Sequence, residues 1–148
     1  MNTTRRVAVL GSGSWGTALA HHARRAGAAV TLWGRDEAVL RGVAERGENP
    51  EYLKGRALAK GITAETDLAK AVTDKDLIII AVPASALRKV LSPVSAILKS
   101  SAVLMLSGIK GLEANSFKTA TQVIADEIGS KERVAALGGP SFAAEVVE

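Results

Sequence analysis

The feature that most constrains this chain is six residues long. Gly11-Ser12-Gly13-Ser14-Trp15-Gly16 spaces three glycines as G-x-G-x-x-G, directly behind an apolar, β-branched run at 6–10 and in front of a helical pattern that begins at Ser14. Each glycine has a separate physical job in such a turn. Gly11 permits the tight exit from the strand. Gly13 removes a side chain where the backbone has to approach a pyrophosphate. Gly16 lets the helix lie close on the strand. The start of that helix offers unpaired N–H groups and roughly half a positive charge to an anion. A tight turn with no ligand has the same composition, and it is the strand–turn–helix setting that favours dinucleotide binding. A P-loop is excluded, because no G-x-x-x-x-G-K followed by Ser or Thr occurs.

The rest of the chain alternates apolar runs with helical patterns, which predicts a parallel α/β sheet. Strands are expected at 6–10, 29–33, 61–64, 77–82, 102–106 and 134–137. A helix over 14–26 is closed by Gly27 at the position after its cap. Asp36 caps a helix running to about Arg46. The stretch 47–61 reads as loop, with Asn49-Pro50 and Gly55 as turn signals. Thr66 or Asp67 caps a short helix to Val72. Ser85 starts a helix carrying Leu87, Val90 and Leu91, and Ser92-Pro93 reads as a fresh cap and first-turn pair restarting it to Leu98. Phe117, Ala120, Thr121, Ile124 and Ile128 share one face of a helix ended by Gly129. Gly138-Gly139-Pro140-Ser141 leads into a last helical pattern running to Glu148. With a glycine-rich first turn, these elements predict a doubly wound Rossmann sheet in the order 3-2-1-4-5-6, with helices on both faces, forming one dinucleotide-binding domain over residues 1–148.

Composition narrows the classes further. At 47% hydrophobic and 23% charged the chain is globular, and with only 3% aromatic residues its core is aliphatic and alanine-rich. There is no cysteine, so disulfides and thiolate metal sites are impossible. His21 and His22 are adjacent and diverge on a helix, which makes them ordinary helix residues and not a metal pair; no metal site is expected. A polar, basic start followed at once by a strand leaves no room for a signal peptide. The longest apolar run, 77–87, is broken by Pro83 and too short to span a bilayer, so no membrane span is expected and the cytoplasm is the default. The net charge is +4 and the pI about 9.6. The Lys and Arg residues are dispersed and no nucleic-acid-binding motif is present, so nucleic acid is not an expected partner and the charge mildly favours phosphorylated ligands.

Cofactor choice is read at the end of the second strand. NAD-specific sites place Asp or Glu there, about 20 residues beyond the glycine turn. Here Gly34 leaves space where that carboxylate would sit, and Arg35 follows with a guanidinium suited to a 2′-phosphate. NADP(H) is therefore favoured, with NAD(H) as the alternative. Asp36 has two readings, ribose ligand or helix cap, and capping is the favoured one. Trp15 is read as mainly packing, with its backbone N–H the surer contact. Lys110 follows the fifth strand at the carboxyl edge where ligands of open α/β sheets bind, and a solvated loop lysine is the competing reading.

The ordered segments GSGSWGTALA (11–20), LWGRD (32–36), NPEYL (49–53), AVP (81–83), KGLE (110–113) and GPSFAAEV (139–146) resemble bacterial NAD(P)-dependent glycerol-3-phosphate dehydrogenase over essentially the whole chain. The resemblance implies reduction of dihydroxyacetone phosphate to sn-glycerol 3-phosphate, a phospholipid precursor. It implies cofactor contacts at Gly11, Gly13, Ser14, Trp15, Gly16, Arg35, Pro83, Lys110 and Ala143. It implies substrate contacts at Lys110, Gly139 and Ser141, the last serving as cap, ligand or both. Two departures stand out. Lys54-Gly55 and Leu58-Ala59 occupy places where the family often has a proline-glycine pair and a further proline. Family members are also longer: a second, helical domain supplies the lysine that acts as general acid/base. The expectation is a chain truncated before that domain, with no catalytic residue of its own, inactive alone and homodimeric as the full-length enzyme. The competing functions are another dehydrogenase of the 6-phosphogluconate or 3-hydroxyacid type and a non-enzymatic NAD(P)-sensing module. A short-chain dehydrogenase is disfavoured, since the only tyrosine, Tyr52, is followed four residues later by Arg56. The Gly34-Arg35 pair disfavours flavin or S-adenosylmethionine.

Overall fold

Aliphatic residues on consecutive positions of 7–10 leave a strand no polar face, so it has to be covered on both sides. In the computed structural model, which describes residues 4–139 and 142–148, this strand, β1 (Arg6–Leu10), is buried from Val7 onward. Val7 and Val9 enter one core, while Ala8 and Leu10 enter the other. β1 pairs with β2 (Ala29–Trp33) on one side and β4 (Leu77–Ile80) on the other. β3 (Ile62–Glu65) extends the sheet beyond β2. β5 (Leu104–Ser107) and β6 (Val134–Ala136) extend it beyond β4. All five pairings are parallel and the order is β3-β2-β1-β4-β5-β6, as the alternation predicts. The connections reverse direction between β1 and β4. That switch point leaves a crevice beyond the carboxyl ends of the strands.

Among the described residues seven α-helices cover the two faces. α1 (Ser14–Arg25) and α2 (Glu37–Arg41) lie on one side, where Ala18, Leu19 and Leu40 pack on Val9, Val30 and Leu32. α3 (Leu68–Val72), α4 (Leu87–Leu91), α5 (Ser95–Ser100) and α6 (Ala120–Ile128) lie on the other, where Leu87, Leu91, Leu98 and Ile124 meet Leu10, Ile78, Ile80 and Met105. The short α7 (Ala143–Val146) rests against α1, and beyond it Glu148 pairs with Arg56 and accepts from Arg25 through its backbone carbonyl.

Several boundaries depart from the sequence expectation, each for a local reason. The helix after Asp36 is α-helical only to Arg41 and continues as a π-helical turn, Gly42–Arg46. A 3₁₀ turn, Ala84–Ala86, precedes α4, so the regular helix starts after Ser85. Ser92 does not cap the next helix: its hydroxyl donates to Glu127 Oε2 at 3.1 Å, and the chain passes through a 3₁₀ turn, Ser92–Val94. Phe117 is not part of α6. It has φ +55° and is 75% exposed, because the helix begins after a capping box in which Thr119 and Gln122 satisfy each other's backbone N–H groups. The buried face of α6 is Ala120, Val123, Ile124 and Ile128, without Thr121. Among the described residues no helix is long and apolar enough to cross a membrane.

Candidate functional site

The three glycines of the first turn are required by three different distances. Gly11 has φ +116°, its N–H donates to Trp33 O at 2.9 Å, and a Cβ there would meet Ala81 O at 2.6 Å. A Cβ on Gly16 would lie 1.8 Å from Gly11 O, so the close seating of α1 on β1 depends on its absence. A Cβ on Gly13 would meet nothing within 4 Å. Gly13 is small for the sake of open space, the condition a pyrophosphate needs. No side chain caps the start of α1, which leaves its first-turn N–H groups to that space.

The space is a cleft of about 910 Å³ along the carboxyl ends of the strands. It lies within the range of roughly 300–1,000 Å³ common for small-molecule and cofactor sites. Gly11, Gly13, Ser14, Trp15, Arg35, Pro83, Lys110 and Ala143, all expected at the site, line it together. Gly16 sits beneath it as a packing residue. Gly139 has φ +129° and is not among the lining residues, and Ser141 lies outside the described residues. The lining takes Arg35 from the end of β2, Leu68 from α3 after β3, Pro83, Lys89 and Val90 from the segment after β4, and Gly108, Ile109 and Lys110 from the loop after β5, with Trp15, Phe142 and Ala143.

Trp15 does more than pack. Its indole Nε1 donates to Gly108 O at 3.0 Å, joining the glycine turn to the loop that carries Lys110. Gly108 allows this approach, since a Cβ there would lie 2.9 Å from Nε1. Gly34 needs a correction. The space beside it is not vacant: a Cβ would lie 2.2 Å from Ser12 Oγ, so its smallness also serves packing against the glycine turn. Asp36 is the helix cap. Its Oδ1 accepts from the backbone N–H groups of Ala38 (2.9 Å) and Val39 (3.1 Å). Among the described residues it is also the only carboxylate lining the cleft, against three exposed cations, Arg35, Lys89 and Lys110. None of the three forms an ion pair among the described residues.

Sequence reasoning missed three groups. Lys89 looks like any helix lysine until the fold turns it to the cleft. Asn49 reads as a turn residue yet is fully buried against the glycine turn. Arg88 gives Glu113 of the KGLE segment a two-pronged contact at 2.8 and 3.0 Å, and donates to Glu127 at 2.8 Å. The Arg88 hydrogen bonds, seconded by Ser116, hold the Glu113 carboxyl down at about 2. The same pairing raises the Arg88 guanidinium. This network fastens the loop between β5 and α6, and with it Lys110, to the helical layer. His21 is buried: its Nδ1 accepts from Ala59 N–H at 2.9 Å and its Nε2 has no partner among the described residues. Burial, then the charges of Arg25 and His22, push its pKa below the usual 6.5.

A parallel sheet in this order, a glycine turn at the switch point and a cationic cleft above it define a dinucleotide-binding Rossmann domain. Residues 6–148 match the family model described as NAD-dependent glycerol-3-phosphate dehydrogenase N-terminus, and the chain belongs to that family. It is 46% identical over 142 residues to glycerol-3-phosphate dehydrogenase (NAD(P)+) of Azotobacter vinelandii, covering 96% of this chain and 41% of that protein. Against the homologous enzyme of Pseudomonas aeruginosa it is 40% identical, covering 100% of this chain and 43% of that one. The crystal structure of glycerol-3-phosphate dehydrogenase from Coxiella burnetii superposes with a TM-score of 0.85 at 32% identity, covering 97% of this chain and 43% of that one. The chain thus spans about two fifths of the length of the relatives it matches.

Proposed function

We propose that the cleft binds NADP(H) in preference to NAD(H). We further propose that the protein serves the reduction of dihydroxyacetone phosphate to sn-glycerol 3-phosphate, a phospholipid precursor. The observation that carries the cofactor reading is the open space at Gly13, together with an exposed Arg35 at the end of β2 that has no ion-pair partner among the described residues. Gly13 and the first turn of α1 would hold the pyrophosphate, and Arg35 the 2′-phosphate. Pro83 would flank the adenosine, with Trp15 and Ala143 on the nicotinamide side. When bound, the nicotinamide supplies a hydride for transfer. Lys110, exposed in the cleft and free of carboxylate partners among the described residues, would orient a phosphate ester or polarise a carbonyl beside it. Gly139 and Ser141 would meet the substrate. No residue among 1–148 is assigned the role of proton donor. A cytoplasmic homodimer completes the reading.

Arg35→Ala tests it. Losing a hydrogen bond to a charged group costs roughly 1.5–3 kcal/mol, or about 10- to 150-fold in affinity. Titration of NADPH and NADH into both proteins should show that loss for NADPH and little change for NADH. Equal losses would remove Arg35 from 2′-phosphate recognition.

A further inference from the structure

Asn49 is 37 residues from Ser12 in sequence and wholly buried against it. Its Nδ2 donates to Ser12 O at 3.0 Å and to Thr17 Oγ1 at 2.8 Å. Its Oδ1 accepts from the backbone N–H groups of Glu51 (3.1 Å) and Tyr52 (2.9 Å). These four bonds use both donors and both acceptor sites of the amide. Thr17 Oγ1 in turn donates to Ser12 O at 3.3 Å, so the Ser12 carbonyl takes two hydrogen bonds from the interior. The peptide between Ser12 and Gly13 is trans, as are the others among the described residues. Across a trans peptide C=O and N–H point in opposite directions. A Ser12 carbonyl held inward therefore turns the Gly13 N–H outward, toward the cleft that Gly13 lines. That N–H has no partner among the described residues. The same open space that makes Gly13 suitable leaves it free to rotate, because glycine tolerates both orientations of the preceding peptide. Something else has to fix the choice.

We propose that Asn49 is a positioning residue for cofactor binding: by holding the Ser12 carbonyl it presents the Gly13 N–H to the pyrophosphate. The proposal rests on the dinucleotide reading of the cleft. Removing Asn49 would leave every cradle atom present but let the 12–13 peptide turn, so the loss should be confined to ligands that carry a pyrophosphate.

The test uses the 148-residue protein and two probes, ADP, which carries a pyrophosphate, and adenosine 2′-monophosphate, which does not. Asn49→Ala should weaken ADP about tenfold while adenosine 2′-monophosphate stays within about twofold. Binding of the second probe also reports that the variant is folded. Thr17→Val, which removes the hydroxyl that links Asn49 to Ser12 O, should show a smaller loss with the same selectivity, and it decides the matter if Asn49→Ala does not fold. Equal losses for both probes, or no loss of ADP affinity in either variant, would overturn the positioning role. Failure of the unaltered protein to bind ADP would instead overturn the dinucleotide reading, and this proposal with it.

Discussion

Gly13 and Gly16 belong to one motif, yet alanine at each should do opposite things. At Gly16 the added Cβ would lie 1.8 Å from Gly11 O, a backbone atom that cannot swing aside. Helix α1 would have to lift off β1, and overpacking of that kind costs roughly 1–3 kcal/mol. Alanine's better helix propensity returns about 1 kcal/mol at most. With backbone as the obstacle the clash wins, and Gly16→Ala should be destabilised by about 1–2 kcal/mol. At Gly13 the Cβ meets nothing within 4 Å, and the backbone, with φ −68°, is one alanine adopts freely. Alanine is a poorer helix cap than glycine by several tenths of a kcal/mol, while a less flexible unfolded chain returns about 0.4–1 kcal/mol. These cancel, so Gly13→Ala should be as stable as the unaltered protein to within about 0.5 kcal/mol. Its methyl group would stand where a pyrophosphate has to approach. The loss of one charge-assisted hydrogen bond, about 10- to 150-fold in affinity, is the expected penalty. Urea unfolding followed by tryptophan fluorescence measures the first effect and titration with NADPH the second. A Gly13→Ala protein with undiminished NADPH affinity, or a Gly16→Ala protein of undiminished stability, would refute this division of roles.

Two further outcomes concern titration. His21 is held neutral by burial, its folded pKa lying below 6.5, so its contribution to stability is complete above pH 6.5 and is lost as the pH falls toward that lower value. The slope reaches at most about 1.4 kcal/mol per pH unit; unfolding measured from pH 7.5 to 5 should show it, and His21→Asn, which keeps an acceptor for Ala59 N–H, should flatten it. An unchanged slope would assign the pH dependence to other groups. Arg88→Met should let the Glu113 carboxyl rise from about 2 toward its ordinary 4.5, with Arg88→Lys in between because an ammonium cannot make the two-pronged contact. Carboxylate titration by NMR reads this directly, and a Glu113 pKa that stays near 2 in Arg88→Met would show that Ser116 and Lys118 suffice.

The sheet order was legible because it depends on local signals that agree. Apolar runs of the right length, a glycine turn after the first of them and capping residues such as Asp36 and Asp67 each point to the same alternation. The glycine cradle was legible for the same reason. What stayed hidden is non-local. Arg88 and Glu113 are 25 residues apart, and neither carries a sign of the other. Asn49 beside Pro50 looks complete as a turn signal, and its bond to Ser12 appears only when the loop folds back on α1. Phe117 fits the helical spacing of 120, 124 and 128, but spacing says nothing of φ, and the capping box at Thr119 starts the helix three residues beyond it, at Ala120. Gly34 was legible as small; that Ser12 fills the space beside it was not.

The distribution of charge shows why composition is a weak guide to the cleft. A net charge of +4 over 148 residues is unremarkable, and among the described residues three of the 19 Lys and Arg residues line the ligand space. Arg88 and Lys89 are consecutive on α4, yet the fold treats them oppositely. Arg88 is bound by Glu113 and Glu127, so its charge is neutralised where it stands. Lys89 lines the cleft without a carboxylate partner among the described residues, as do Arg35 and Lys110. Among the described residues, three cations against the single carboxylate of Asp36 give the lining a local charge of +2. Asp36 is further committed, since one of its oxygens takes two amide hydrogens of α2. The field in the cleft therefore comes from which cations lack partners and not from how many there are. A phosphorylated dinucleotide, with negative charge near both the β2 end and the glycine turn, is the kind of ligand such a lining attracts.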